Sequence, residues 1–224
     1  MDMNRPDYNL SQNEVLDRYS TFRTGLSPEE AQNRLERYGE NKLAEGKKKT
    51  ALQVFLDQFK DLIVWILIAA AVISILSGQG ESSLVIFAVL ILNAVLGTVQ
   101  YLKAEKSLES LKAMSSPTAT LLRGGLKVQV PSPEVVPGDI LLLEAGDLIT
   151  ADARILESYS VKINESSLTG ESEAVEKTAD VIPEENVALG DRKNMVFSGS
   201  LVTYGRAVAV VTGTGMQTEL GHIA

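Results

Sequence analysis

Two long apolar blocks dominate the pattern of hydrophobic and polar residues along the chain. The first, LIVWILIAAAVISIL, covers residues 62–76, and the second, SLVIFAVLILNAVLGTVQYL, covers residues 83–102; neither contains a charged residue. A helix needs about 20 mostly apolar residues to cross a bilayer, and the second block meets this length. The first block follows ALQVFLDQF, whose apolar residues recur at helical spacing: Leu52, Phe55, Leu56 and Phe59. This pattern predicts an amphipathic helix at the membrane interface that bends into the first span; a pair of buried helices in a soluble core is the alternative.

The charges around the two blocks predict their orientation. The connecting segment SGQGE contains no Lys or Arg, whereas basic residues flank the blocks on their outer sides: Lys47, Lys48, Lys49 and Lys60 before them, and Lys103, Lys106 and Lys112 after them. Basic residues stay on the cytoplasmic side of a membrane. We therefore expect a helical hairpin with a stalk over residues 47–114, with spans at about 60–77 and 83–102 and both ends in the cytoplasm. The first 40 residues are polar and charged, which indicates no signal peptide.

The segment before the hairpin has helical signals. SQNE at residues 11–14 and SPEE at residues 27–30 both match a capping box, and Pro28 occupies the favoured first helical position. Ala31, Leu35 and Tyr38 share one helical face, and Gly39 is a plausible stop. Residues 1–46 are therefore predicted to be a cytoplasmic helical segment.

After Pro117 the hydrophobic period changes from helical spacing to two. Five short strand candidates follow: TATLLR, KVQV, DILLLEA, TADARIL and RAVAVVTG. Sharp turns separate them at Gly124-Gly125, Pro137-Gly138-Asp139 and Gly146-Asp147. Closely spaced short strands predict a compact β domain over residues 115–215, which leaves residues 216–224 as a linker towards a further membrane helix.

Composition narrows the possible chemistry. The 224 residues carry a formal net charge of −8, with no cysteine and one histidine. An acidic chain is a poor non-specific binder of nucleic acid, so no nucleic-acid partner is expected. The lack of cysteine excludes disulfides and thiolate metal sites. Asp139, Asp147 and Asp152 could be taken for a metal cluster, but their positions beside glycines and at strand ends favour turn capping.

The polar stretch ESSLTGESEAVEK at residues 165–177 is the strongest candidate for chemistry. It places the carboxylate of Glu171 directly after Gly170, with no histidine or cysteine nearby. Taken alone, the TGES tetrapeptide is a weak signal. A solvated turn, in which Thr169 and Ser172 bond to the local backbone, would explain it equally well. A carboxylate without local partners also suits a site whose other half lies on another domain or chain.

The surrounding sequence resembles a known family. VVPGDILLLEAGDLITADARIL, NESSLTGESEAVEK and VFSGSLVTYGRAVAVVTGTGMQTELGHIA together resemble the actuator domain of P-type cation-transporting ATPases. The apolar hairpin resembles their first two membrane helices, and GLSPEEAQNRLERYGENKL resembles their N-terminal segment. QFKDLIVWILIAAAVISIL and FAVLILNAVLGTVQYLKAEKSLESLK are most similar to the calcium-pump branch. The resemblance implies a membrane α-helical hairpin, N-terminal helices and a β-rich cytoplasmic actuator domain of distorted jelly-roll type, in an integral protein of the cell membrane.

The resemblance also implies roles for the TGES residues. In this family an aspartate in a separate phosphorylation domain takes the γ-phosphate of ATP, and hydrolysis of the aspartyl phosphate drives ion exchange. Glu171 would orient and deprotonate the attacking water, Gly170 would let the backbone approach the phosphate, and Thr169 and Ser172 would hold the loop. This segment is expected to bind no cofactor. ATP and magnesium are implied for the complete pump, and its partners would be the remaining pump domains, the lipid bilayer and a cation, calcium by resemblance.

The chain departs from a complete pump of this family. It contains no DKTG phosphorylation motif and no nucleotide-binding domain, so alone it should not hydrolyse ATP. We expect an N-terminal fragment of a longer pump, with one subunit of a split pump as the alternative. Asn164 and Ala174 occupy positions where the family often has Asp and Pro. Two rival functions stay open: a noncatalytic, membrane-tethered β module that binds a partner, and a pump for sodium or protons.

Four further residues have mainly structural interpretations. Asn93 lies within the second apolar block and is expected to pack against a neighbouring helix, although polar residues at membrane depth can be functional. Asp61 could guide cations, or could simply mark a helix start. Trp65 is expected to be a packing or interfacial residue, and His222 is expected to have no catalytic role.

Overall fold

A computed structural model describes residues 5–44, 48–78, 80–114 and 117–224. The chain forms two compact units. One, the β unit, comprises residues 1–44 and 116–224; the other, the helical unit, comprises residues 45–115. The described part of the N-terminal segment thus packs with the β-rich part of the chain, and the domain boundaries drawn from the sequence stay predictions.

The described residues contain seven α-helices and seven β-strands. The helices are α1 (Gln12–Arg18), α2 (Pro28–Tyr38), α3 (Ala51–Asp57), α4 (Leu62–Leu76), α5 (Gly80–Met114), α6 (Ser166–Thr169) and α7 (Glu219–Ile223). The strands are β1 (Thr118–Arg123), β2 (Leu126–Pro131), β3 (Ile140–Glu144), β4 (Asp152–Asn164), β5 (Val175–Glu176), β6 (Met195–Val196) and β7 (Leu201–Gly213).

The strands form one antiparallel sheet in the order β2-β1-β3-β7-β4-β5, and β6 pairs with β4 outside this path. The two long central strands, β4 and β7, pair along most of their length, with Ile155 opposite Ala209 and Ile163 opposite Val202. Their inward side chains, such as Val161 and Val211, build the main core together with residues of the other strands: Leu121, Leu141 and Val196. All five predicted strands are present in this sheet.

α1 packs on the sheet, and α2 packs against Leu26 and Val136; both helices begin where the sequence indicates, with one difference in capping. Leu10, Val15 and Leu16 form a second buried cluster with residues of β3, β4 and β7. Ser11 starts α1 with a complete capping box, since the Glu14 carboxylate accepts from the Ser11 N–H at 2.8 Å. Ser27 caps α2 through the N–H of Glu30, but the Glu30 carboxylate instead accepts from Arg34 Nε at 2.7 Å, so this second capping box is incomplete.

The segment after α2 is held by one buried side chain. Gly39 ends α2 with a positive φ of 80°, as expected, and Tyr38 is 52% exposed. Asn41 Nδ2 donates to the carbonyl of Thr150 at 2.8 Å, and its Oδ1 accepts from the N–H of Gly215 at 2.8 Å. These two bonds join the segment both to the start of β4 and to the turn before α7.

The helical unit contains α3, α4 and α5. The helical pair Ala51–Lys60 and Leu62–Leu76 is bent by 69° at its junction, where the Asp61 side chain accepts from the N–H of Ile63 and caps α4. Ser83 on α5 donates to the carbonyl of Ala71 on α4 at 3.1 Å, which joins the two helices. Among the described residues, one helix is long and apolar enough to cross a membrane, and the bent pair is a second if it acts as one span.

Candidate functional site

The TGES residues lie in a closed loop that runs from the end of β4 through β5, residues 164–177, which we name the TGES loop. β4 ends at Asn164, whose Oδ1 accepts from the N–H of Ser166 at 2.9 Å. An amide oxygen thus caps the first turn of the loop at the position where the family often has Asp. The chain returns along β5, where Val175 lies opposite Ile163. The two ends of the loop are therefore fixed to each other by strand pairing.

A single helical turn and a left-handed glycine shape the outer half of this loop. α6 ends at Thr169, and Gly170 follows with φ +77° and ψ −3°, so its N–H reaches back to the carbonyl of Ser166. Thr169 Oγ1 donates to the Glu165 carbonyl at 3.1 Å and accepts from the N–H of Glu171 at 3.3 Å. The local bonds that a turn interpretation assigned to Thr169 are present, and they fix the backbone from which the Glu171 side chain leaves.

Solvent reaches the outer part of the loop. Gly170, Glu171 and Ser172 are all exposed, and Thr169 is partly buried. An added Cβ at Gly170 would meet no described atom within 4 Å. The β unit therefore presents the Glu171 carboxylate outward on a backbone that has room on its outer side.

At the base of the loop the structure reveals a buried ion pair that the sequence analysis missed. Lys177 Nζ lies 2.6 Å from Glu165 Oε1, and the two side chains are 0% and 1% exposed. Lys177 also lies over the ring of Phe197, with Nζ 5.4 Å from the ring centroid. Such charges are rare in a protein interior unless they are paired. The sequence signal was weak, because Glu165 and Lys177 look like ordinary surface charges at the ends of a polar stretch.

Burial perturbs both members of this pair. Desolvation raises the pKa of Glu165 and lowers the pKa of Lys177, because each charged form loses hydration. The opposite charge of the partner counteracts the shift in each case. Each charge therefore favours the charged form of its partner.

The three aspartates considered as a metal cluster act separately. Asp139 is fully buried, pairs with Arg123 at 2.7 Å and accepts from the N–H of Val136. Asp147 accepts from the N–H of Glu144 at 2.9 Å. Among the described residues no group of three or more His, Cys, Asp or Glu is placed to hold a metal ion. Asp139 and Asp147 each accept from a backbone N–H three residues earlier, as the turn-capping interpretation predicts, whereas Asp152 bonds to distant backbone groups and caps no local turn.

The carboxylate of Asp152 is held by two backbone N–H groups from distant parts of the chain. Its Oδ1 accepts from the N–H of Ser198 at 2.8 Å and its Oδ2 from the N–H of Glu219 at 2.7 Å. Burial raises the pKa of Asp152 to about 6, with the two backbone bonds opposing the shift. Asp152 therefore connects the start of β4 to the start of α7.

The four remaining candidate residues lie within helices or at a helix end. His222 lies exposed in the last turn of α7, and Asp61 caps α4. Trp65 is 61% exposed in the helical unit, and Asn93 is exposed on α5. None of these four belongs to the TGES loop.

Two family models match the chain. The model of the P-type ATPase actuator domain matches residues 113–224. The model described as Cation transporter/ATPase, N-terminus matches residues 7–74. Together they cover most of the chain, with the N-terminal model before the actuator-domain model along the sequence.

Curated relatives agree with these models. The chain is 49% identical over 217 residues to "Calcium-transporting ATPase lmo0841" of Listeria monocytogenes, covering 97% of the chain and 24% of that protein. It is 50% identical over 217 residues to "Calcium-transporting ATPase 1" of Lactococcus lactis, covering 97% and 25%. It is 44% identical over 218 residues to "Calcium-transporting ATPase" of Bacillus subtilis, covering 97% and 24%. The chain thus spans about a quarter of the length of the curated relatives it matches.

Proposed function

The chain belongs to the P-type ATPase family, and on that premise we propose that it is the N-terminal part of an ATP-driven calcium pump, in which Glu171 promotes hydrolysis of the aspartyl phosphate. The observation that carries this proposal is the position of Glu171: an exposed carboxylate on a loop that is fixed at its base and carries none of the partners needed for local catalysis. Such a group suits a site that is completed by another domain.

Glu171 supplies a general base in this mechanism. Its carboxylate accepts a hydrogen bond from the attacking water and takes its proton as the water oxygen bonds to phosphorus. The P–O bond to the aspartate then breaks, and the aspartate carboxylate is released. An exposed carboxylate can reach that water only when the actuator domain is brought against the phosphorylation domain. This requirement keeps the phosphoenzyme intact earlier in the cycle.

The other TGES residues prepare this approach. Gly170 keeps the outer surface of the loop free of a side chain, where the phosphoryl group would lie. Thr169 holds the backbone of Glu171 through its hydroxyl, and Ser172 would exclude stray water beside it. ATP and magnesium belong to the complete pump, where magnesium would offset the repulsion between the Glu171 carboxylate and the phosphoryl oxygens.

The helical unit is proposed to be the first membrane hairpin of the pump, in the cell membrane, with the jelly-roll β unit in the cytoplasm. Many large apolar side chains of α4 and α5 are exposed, which suits lipid: Leu62, Ile63, Ile66, Leu84, Val85 and Leu92. Lys48 and Lys60 flank the hairpin on one side, as the cytoplasmic side requires. The names of the relatives favour calcium over sodium or protons as the transported ion.

The test uses the complete pump with Glu171→Gln. The amide cannot accept the proton, so we expect phosphoenzyme to form from ATP in the presence of calcium and to decay roughly 100-fold more slowly than in the wild type. Sodium without calcium should give no phosphoenzyme. The measurement is the radioactive phosphoenzyme after a chase with unlabelled ATP.

The matched control is Glu173→Gln, which removes the same charge from an exposed position two residues away. We expect wild-type decay from this variant. Decay of the Glu171→Gln phosphoenzyme at the wild-type rate would reject the catalytic role and favour a β module that only binds a partner. If phosphoenzyme formed only in the presence of sodium, the transported ion would be sodium and not calcium.

A further inference from the structure

The ion pair of Glu165 and Lys177 is the strongest feature of the β unit that the proposed mechanism leaves without a role. Burying two charges is expensive, and replacing a buried pair by apolar residues is often neutral or stabilising. Stability alone is therefore a weak reason for this pair. Its place at the two ends of the TGES loop offers a different reason.

The Glu165 backbone is connected to the backbone of Glu171 through Thr169. The Glu165 carbonyl accepts from the N–H of Leu168 at 2.9 Å, the N–H of Thr169 at 3.0 Å and Thr169 Oγ1 at 3.1 Å. Thr169 Oγ1 in turn accepts from the N–H of Glu171. A shift of Glu165 would therefore move the single turn that carries the outer half of the loop.

Lys177 is held to its surroundings by both its backbone and its side chain. Its N–H donates to the carbonyl of Val161 at 3.0 Å, and its carbonyl accepts from Ser158 Oγ at 2.7 Å. Its ammonium group lies on the Phe197 ring and 3.4 Å from the carbonyl of Arg192. Lys177 is thus held against β4 by hydrogen bonds, and its ammonium group holds the Glu165 side chain through the ion pair.

We propose that Glu165 and Lys177 are positioning residues that hold the TGES loop in the orientation from which Glu171 reaches the phosphoenzyme. The inference rests on the proposed function. The pair touches no reacting atom and acts only through the hydrogen bonds that Thr169 makes with its N–H and its hydroxyl. A charge pair suits this role because its attraction selects one geometry, whereas apolar side chains of similar size can pack in several.

The experiment is a double-mutant cycle in the complete pump with Glu165→Gln, Lys177→Met and the two together. We expect each single variant to slow phosphoenzyme decay roughly 10- to 100-fold, as a displaced catalytic group does, while the rate of phosphoenzyme formation stays unchanged. The double variant should decay about as slowly as the slower single variant, and clearly more slowly than the wild type, because the two residues act as one unit. The decay rate constant is measured per phosphoenzyme molecule, so loss of folded protein does not alter it.

The control pair is Lys162→Met and Glu176→Gln. These residues lie opposite each other on β4 and β5 next to the buried pair, carry the same charges and are exposed. They should leave the decay rate unchanged. If the single variants do not fold, the decay rate of the double variant tests whether the pair positions the loop. The double variant is uncharged at both positions and so leaves no unpaired buried charge.

Two results would overturn the inference. Wild-type decay in the double variant would mean that an unpaired buried charge, and not loss of the pair, disturbed the single variants. Wild-type decay in all three would show that the pair has no positioning role. In both cases slow decay of Glu171→Gln in the same assay would leave the proposed function standing, whereas wild-type decay of Glu171→Gln would reject the function itself.

Discussion

At the residue scale, some residues of the TGES loop can be identified from a sequence motif, whereas others can be recognised only from their contacts in the folded chain. Thr169, Gly170 and Glu171 were found because a short sequence is characteristic of a family. Glu165 and Lys177 are 12 positions apart, and neither local periodicity nor charge pattern indicates that β4 and β5 bring them together in the interior. Sequence reasoning thus located the proposed catalytic group but missed the contact that holds its loop.

Gly170 offers a test of the outer surface of this loop. Its left-handed φ of +77° costs a non-glycine residue about 1 kcal/mol, yet an added methyl group would meet no described atom of the chain. Gly170→Ala should therefore lower the free energy of unfolding by about 1 kcal/mol. In the complete pump it should slow phosphoenzyme decay by roughly 100-fold, because the methyl group would separate the loop from the phosphoryl group.

Gly125 provides the matched control. It has a φ of +78° in the β1–β2 turn and equal space for a Cβ, so Gly125→Ala carries the same backbone cost far from the loop. The two variants should show similar urea midpoints and differ in phosphoenzyme decay. Equal decay rates would mean that the surface of Gly170 never approaches the phosphoenzyme closely.

At the element scale, the alternating pattern predicted the strands but underestimated their length. β4 continues to Asn164 and β7 begins at Leu201, so both extend beyond the predicted TADARIL and RAVAVVTG segments. Bulges interrupt their pairing, for example between Ile155 and Glu157, and each bulge breaks the period of two. β5 and β6 have two residues each, too few for any periodicity. Strand pairing over long sequence distances, which sets the sheet order, leaves no local signal.

The link between β4 and α7 predicts a pH dependence of the β unit. Burial raises the pKa of Asp152 from its ordinary value of 3.8 to about 6. Between these values the folded protein holds a proton that the unfolded chain has lost, so stability falls as the pH rises. The contribution is roughly 3 kcal/mol, fully present below pH 4 and lost above pH 6. Glu219 strengthens this shift and His222 weakens it.

The Asp152→Asn variant tests whether Asp152 causes this pH dependence of stability. The amide does not titrate, so the stability of the variant relative to the wild type should rise between pH 4 and pH 6. Urea unfolding of the chain in detergent, followed by the circular dichroism of the sheet, measures the difference at each pH. A constant difference across this range would show that the Asp152 carboxylate titrates normally.

At the scale of the whole molecule, the described chain combines an apolar helical unit with a β unit that exposes a carboxylate without local catalytic partners. Hydrophobic periodicity predicted both the apolar helices and the strands, since both have strong local signals. The chain spans about a quarter of the length of the curated relatives it matches, and the activity proposed for it is that of a complete pump. The central claim is therefore that Glu171 works on a phosphoryl group held by another domain.

The most direct test of that claim measures whether position 171 becomes enclosed during the cycle. In the complete pump, freed of other cysteines, Glu171→Cys would be labelled with a maleimide in the calcium-bound state and after binding a phosphate transition-state analogue, with exposed Leu126→Cys as the control. The account predicts at least a tenfold slower labelling at position 171 with the analogue, and no change at position 126. Equal labelling of position 171 in both states would contradict it.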